Sequence, residues 1–86
     1  MADKNAPWMP ADYNKAITSA FQSIMIHKNA NQHQQELAID WIINQVCKTH
    51  DMSYRPNSER DTNFAEGKRF VGNQILKQIN LIMKDE

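Results

Sequence analysis

Eighty-six residues, with ten Lys plus Arg against ten Asp plus Glu and a hydrophobic fraction of 41%, define one small domain of zero formal net charge. A chain of this size buries only about 60 to 65% of the surface it exposes when unfolded, which leaves little room for a large internal pocket. Balanced charge removes the bulk attraction behind generic binding to nucleic acid or acidic membranes, and a single cysteine, Cys47, excludes an internal disulfide framework.

Residues 1 to 11 read as an extended tail, because Pro7 and Pro10 forbid continuous helix. Trp8 and Met9 lie between those prolines. They are expected either to fold back onto the domain or to dock in a partner's groove, self-docking being the commoner outcome. The tail carries no apolar run of the 7 to 15 residues that a signal peptide needs, and nowhere do about 18 apolar residues run together. The expectation is a chain that is neither exported by the ordinary route nor membrane-spanning, kept in a reducing compartment.

Residues 12 to 86 read as a single helical domain. From Asp12 as N-cap, Tyr13, Ile17, Ala20, Phe21 and Ile24 recur at spacings of three and four, which predicts a first helix to about His27. The polar stretch 28 to 33 has no periodicity and reads as a connection. In the second helix, from Gln34, the main stripe is Ile39, Ile42, Ile43 and Val46. Leu37 and Trp41 fall on another side of that helix, which points to a central position or a second contact.

A loop follows over 49 to 57, and Ser58-Glu59-Arg60-Asp61 fits a capping box with the shorter acid. The third helix is expected from Glu59 to Met83. At 100° per residue its stripe contains Phe64, Val71, Ile75, Ile79 and Ile82, flanked by Leu76 and Met83. The predicted architecture is all-α: three antiparallel helices, the C-terminal one long, with the proline-bearing tail ahead of them. Phe64, Val71, Ile75 and Ile79 are expected to be buried against Ile17, Phe21, Ile42 and Val46.

Gly67 and Gly72 both lie inside the third helix, where each costs about 1 kcal/mol relative to Ala. Close approach of another helix is the first explanation, a kink or π-bulge the second. Lys68 sits in the apolar stripe between them and must snorkel to water or pair with an acid such as Asp40 or Asp51. Phe70 and Leu81 project from the same helix away from its stripe. They are either ordinary surface scatter or, with Trp8, Met9, Leu37 and Trp41, parts of an interface.

Chemistry is poorly provided for. Cys47 and His50 are three apart, with only His27 and His33 as further soft ligands, so neither a zinc site nor any other cofactor is expected. No oxyanion-hole motif or glycine-rich phosphate loop accompanies them, and the chain does not read as an enzyme. Arg60, Lys68, Arg69 and Lys77 make a basic series on the third helix. Glu59, Asp61 and Glu66 interrupt it, and the preceding loop is too long for a helix-turn-helix, which argues against nucleic acid.

The run Asn63-Phe64-Ala65-Glu66-Gly67-Lys68-Arg69-Phe70-Val71-Gly72, followed by Ile75-Leu76, resembles the signature of a family of small helical proteins of tailed bacteriophages and prophages, first named from a Bordetella podophage. The resemblance runs from Tyr13 to Leu81 and includes the loop piece Ser53-Tyr54-Arg55-Pro56. The sequence departs from the family at the first connection, where Asn29 to Gln32 replace an expected glycine. It departs again at Lys68-Arg69, where Arg-Arg is more usual. The resemblance implies a phage origin, with residence in the host bacterial cytoplasm and in the virion. It implies no settled biochemical activity, and the first expectation is a virion or assembly component that binds itself or another virion protein. The alternatives are a host-takeover factor that binds a bacterial protein and, behind it, a nucleic-acid-binding regulator.

Overall fold

The structure, a computed structural model, describes residues 6–81. Three α-helices follow one another: α1, Lys15–Met25; α2, Gln32–Trp41, which runs on into a π-helical segment, Ile42–Val46; and α3, Glu59–Asn80. The expected Ile82 and Met83 lie outside the described residues.

Each helix begins where a short polar side chain can satisfy a free N–H. Asn14, not Asp12, caps α1, its Oδ1 accepting from the Ile17 N–H at 3.0 Å. Asp12 lies two residues before the cap, its carbonyl accepting the Trp41 indole N–H at 2.8 Å. α2 starts two residues earlier than predicted, since Asn31 and Gln34 form a reciprocal capping box. Ser58 caps α3 through the Asp61 N–H at 3.1 Å. α1 ends short of His27 because Lys28 adopts φ 58°, which turns the chain so that the Asn29 N–H reaches the Ser23 carbonyl.

α1 and α2 form an antiparallel hairpin. Ala20 and Ala38 are buried at their interface and let the two backbones approach, while Phe21 and Trp41 pack edge to face with centroids 5.6 Å apart. At the far end Gln34 Nε2 donates to Ser23 Oγ at 3.3 Å. The π-helical segment then carries the chain to α3, which returns antiparallel to α2. α2 and its extension thus take the central position that their two apolar sides suggested.

The bundle does not close. Among the described residues α1 and α3 do not meet, and the three helices lie in a slab of 44 × 38 × 16 Å. Its radius of gyration is 15.4 Å; a compact 86-residue domain has about 12 Å. The predicted α3 stripe is accordingly not a core: Phe64, Val71 and Ile79 are 48, 52 and 57% exposed, and Ile75 is half-buried. Of their intended partners Ile17 is buried and Phe21, Ile42 and Val46 are half-buried, and Tyr13 is exposed. α3 buries instead the side carrying Ala65 and Gly72, about 80° to 100° around from Phe64. Small residues there admit the chain that leaves the π-helical segment, and at Gly72 even a Cβ would overlap Thr49.

Candidate functional site

The junction between the π-helical segment and α3 positions most of the motif residues. The Cys47 N–H donates to the Ile42 carbonyl at 2.9 Å, closing an i to i−5 ring. Lys48 follows at φ 49° and reverses the chain, so that both the N–H and the hydroxyl of Thr49 donate to the Ile43 carbonyl, at 3.1 and 2.8 Å. Thr49, nearly fully buried, then sits directly over Gly72. Gly72 therefore has the close-approach role expected of it, against a turn rather than a helix. Gly67 does not: nothing lies within 4 Å of where its Cβ would be.

The basic pair points inward. Lys68 neither snorkels freely nor pairs with Asp40 or Asp51; its Nζ donates to the Pro7 carbonyl at 2.7 Å. That bond and the burial of Pro7 hold the tail, which makes a turn closed by the Met9 N–H on the Ala6 carbonyl. Arg69 donates through Nε to the Thr49 carbonyl at 3.2 Å and through its terminal nitrogen to Glu66 at 2.8 Å. Ser53 donates to the same Glu66 carboxylate. Arg55, missed by sequence reasoning, binds the Met52 and Ser53 carbonyls of its own loop, while its N–H donates to Thr62 Oγ1 at 2.7 Å. Lys68 and Arg69 are thus fasteners between α3, the loop and the tail, which leaves Arg60 and Lys77 as the exposed cations of the helix.

The six interface candidates separate. Trp41 is committed to Phe21 and Asp12, and Leu37 and Met9 are half-buried, so these three do not form a free patch. Trp8, Phe70 and Leu81 are exposed, Phe70 the most at 64%. The tail therefore docks by its proline and leaves its tryptophan outward. Phe64 and Val71, assigned to the core by periodicity, join Phe70 and Leu81 on the outer side of α3. A separate groove between α2 and the end of α3 is lined by Gln35, Glu36, Ile39, Asp40 and Ile79.

Among the described residues no three His, Cys, Asp or Glu side chains converge as metal ligands, and no helix is long and apolar enough to cross a membrane. Beside Glu66, which hydrogen bonds from Ser53 and then Arg69 hold below its ordinary 4.5, two groups titrate abnormally. Burial pushes the Cys47 thiol above its ordinary 9.0, the nearby Lys68 charge opposing it. Burial, and then the Lys48 charge, push Lys68 below 10.5.

These shifts act in opposite senses on stability. The folded state holds the Cys47 proton more tightly than the unfolded chain, so its contribution is complete below pH 9.0 and is lost as pH rises toward the raised value. The folded state holds the Lys68 proton less tightly, so stability is regained as pH rises from the lowered value to 10.5. Lys68→Met should therefore fall in stability more steeply than the native protein above pH 9.0. Cys47→Ala should fall less steeply. Urea titrations at several alkaline pH values read both slopes.

No family model, curated protein or solved structure matches this chain.

Proposed function

We propose that the chain is a protein-interaction module of a tailed phage, a small component of the virion or of its assembly pathway, working in the host cytoplasm and in the particle. The observation that carries this reading is the outer side of α3, where Phe64, Phe70 and Val71 stand exposed on one helix, with Leu81 just past its end. Aligned aromatic and aliphatic side chains of this kind mark interaction surfaces when they are contiguous. The internal use of Lys68 and Arg69 supports a protein partner over a nucleic acid, because both are held on main-chain carbonyls. The phage assignment rests on the Phe64 to Gly72 signature.

Mass spectrometry of intact purified particles tests the reading. The chain should be present at a fixed copy number. Its absence from particles, together with co-purification of a host protein, would replace the virion role with host takeover.

A further inference from the structure

A cavity of about 270 Å³ lies where the tail crosses the junction of the π-helical segment with α3. The tail supplies Pro7, Met9 and Pro10 to its lining, and the helical body supplies Gln45, Lys48 and Lys68. Both lysines rise from fixed backbone. Lys48 occupies the left-handed turn, φ 49°, that the two Thr49 bonds to the Ile43 carbonyl lock. Lys68 is carried by α3 and tethered to the Pro7 carbonyl at 2.7 Å.

The charge of this lining is unbalanced. Burial, and then the charges of Lys48 and Arg55, hold Lys68 below its ordinary 10.5, with Cys47 and Asp51 offsetting them only in part. Among the described residues neither Lys48 nor Lys68 is paired with a carboxylate, the one ion pair being Arg69 with Glu66. Asp12 is the single acid of the lining, and it reaches neither lysine. Lys68 uses one of its three N–H donors on Pro7, so two remain, together with those of Lys48 and the Gln45 amide. A chain of zero net charge thus holds two uncompensated ammonium groups over one cavity.

We propose that this cavity binds a small dianionic phosphate, either inorganic phosphate or a short phosphate monoester, held between Lys48 and Lys68 with the Gln45 amide as a further donor. The proposal is independent of the interaction module reading. Charge selects the class: a phosphate carries close to two negative charges and three acceptor oxygens, which match two ammonium groups, whereas a carboxylate carries one charge. Size sets its limit. The volume lies just under the roughly 300 to 1,000 Å³ of sites for drug-sized ligands, which suits a phosphate with a few carbon atoms and excludes a polymer.

Isothermal titration calorimetry at constant ionic strength, at about pH 8 where phosphates are dianionic, tests the proposal. Inorganic phosphate and propyl phosphate should each saturate one site with a Kd of about 1 mM or below. Tighter binding of propyl phosphate would assign the site to an organic phosphate whose carbons lie on Met9 and Pro10. Tighter binding of inorganic phosphate would assign it to the free ion. Lys48→Gln should weaken binding roughly tenfold, the loss that one charge-assisted hydrogen bond carries, while the fold is kept because Lys48 is exposed. Lys77→Gln removes the same charge outside the cavity and should leave binding unchanged. Asp12→Asn, which removes the single acid of the lining, should tighten it. No saturable binding of either phosphate overturns the proposal. So does an equal loss in Lys48→Gln and Lys77→Gln, or acetate binding as tightly as phosphate.

Discussion

Gly72→Ala should destabilise the protein strongly, although the same change in an ordinary helix interior stabilises by about 1 kcal/mol. A Cβ at this position would overlap Thr49 Oγ1 outright and stand 2.9 Å from both Cys47 Cβ and Thr49 Cβ. Thr49 cannot swing aside without loss. Its hydroxyl is buried and donates to the Ile43 carbonyl at 2.8 Å, a carbonyl that also closes the turn through the Thr49 N–H. Either α3 lifts off the turn or the hydrogen bond breaks. Overpacking costs about 1 to 3 kcal/mol, and a lost buried hydrogen bond adds about 1 kcal/mol.

For a domain of this size, about 2 to 4 kcal/mol lowers Tm by roughly 10 °C or more. Thermal unfolding followed by circular dichroism measures it. Thr49→Ala should relieve part of the clash, so the double variant should lie above the sum of the two singles by about 1 to 2 kcal/mol in a double-mutant cycle. A Gly72→Ala protein that melts at or above the native temperature would show that α3 does not seat on this turn.

The contrast between the two glycines shows where sequence reasoning stops. Both are interior glycines of one helix, five residues apart, and nothing local distinguishes them. What separates them is a turn more than twenty residues upstream that presses on Gly72 and leaves Gly67 open. Helix existence was legible, because periods of three and four persist through α1, α2 and α3, and Ser58 was legible as a cap. Asp12 misled because α1 begins at Lys15, so that Asn14 is the residue whose side chain reaches a first-turn N–H.

The burial of α3 was misread for a related reason. Periodicity finds the stripe with the largest side chains, but docking against a closely placed turn selects the smallest, Ala65 and Gly72. The π-helical segment left only an indirect trace. An inserted residue rotates everything after it by about 100°, so apolar positions before and after Ile42 no longer share one face at a 3.6-residue period. Among the interface candidates, Trp8, Phe70 and Leu81 are exposed. The inward use of Lys68 and Arg69 required knowing where the Pro7 and Thr49 carbonyls lie.

Because the bundle is open, the side chain that matters most to the monomer should be Ile43 rather than Ile75. Ile43 is 4% exposed, whereas Ile75 on α3 is only half-buried. Ile43 also lies at the one place where α2's extension, the Thr49 turn and α3 come together, so its loss leaves a cavity that three segments must collapse to fill. Ile43→Ala should cost about 2 to 5 kcal/mol, the range for removing a buried isoleucine. Ile75→Ala, with half its surface already in water, should cost about 1 to 2 kcal/mol. The larger loss is a large fraction of the roughly 5 to 15 kcal/mol by which folded domains exceed their unfolded chains. Urea midpoints of the two variants, measured at one protein concentration, read the difference. If Ile75→Ala proved the costlier of the two, α3 would have to turn its aliphatic stripe inward in solution, and the open slab would give way to a closed three-helix core.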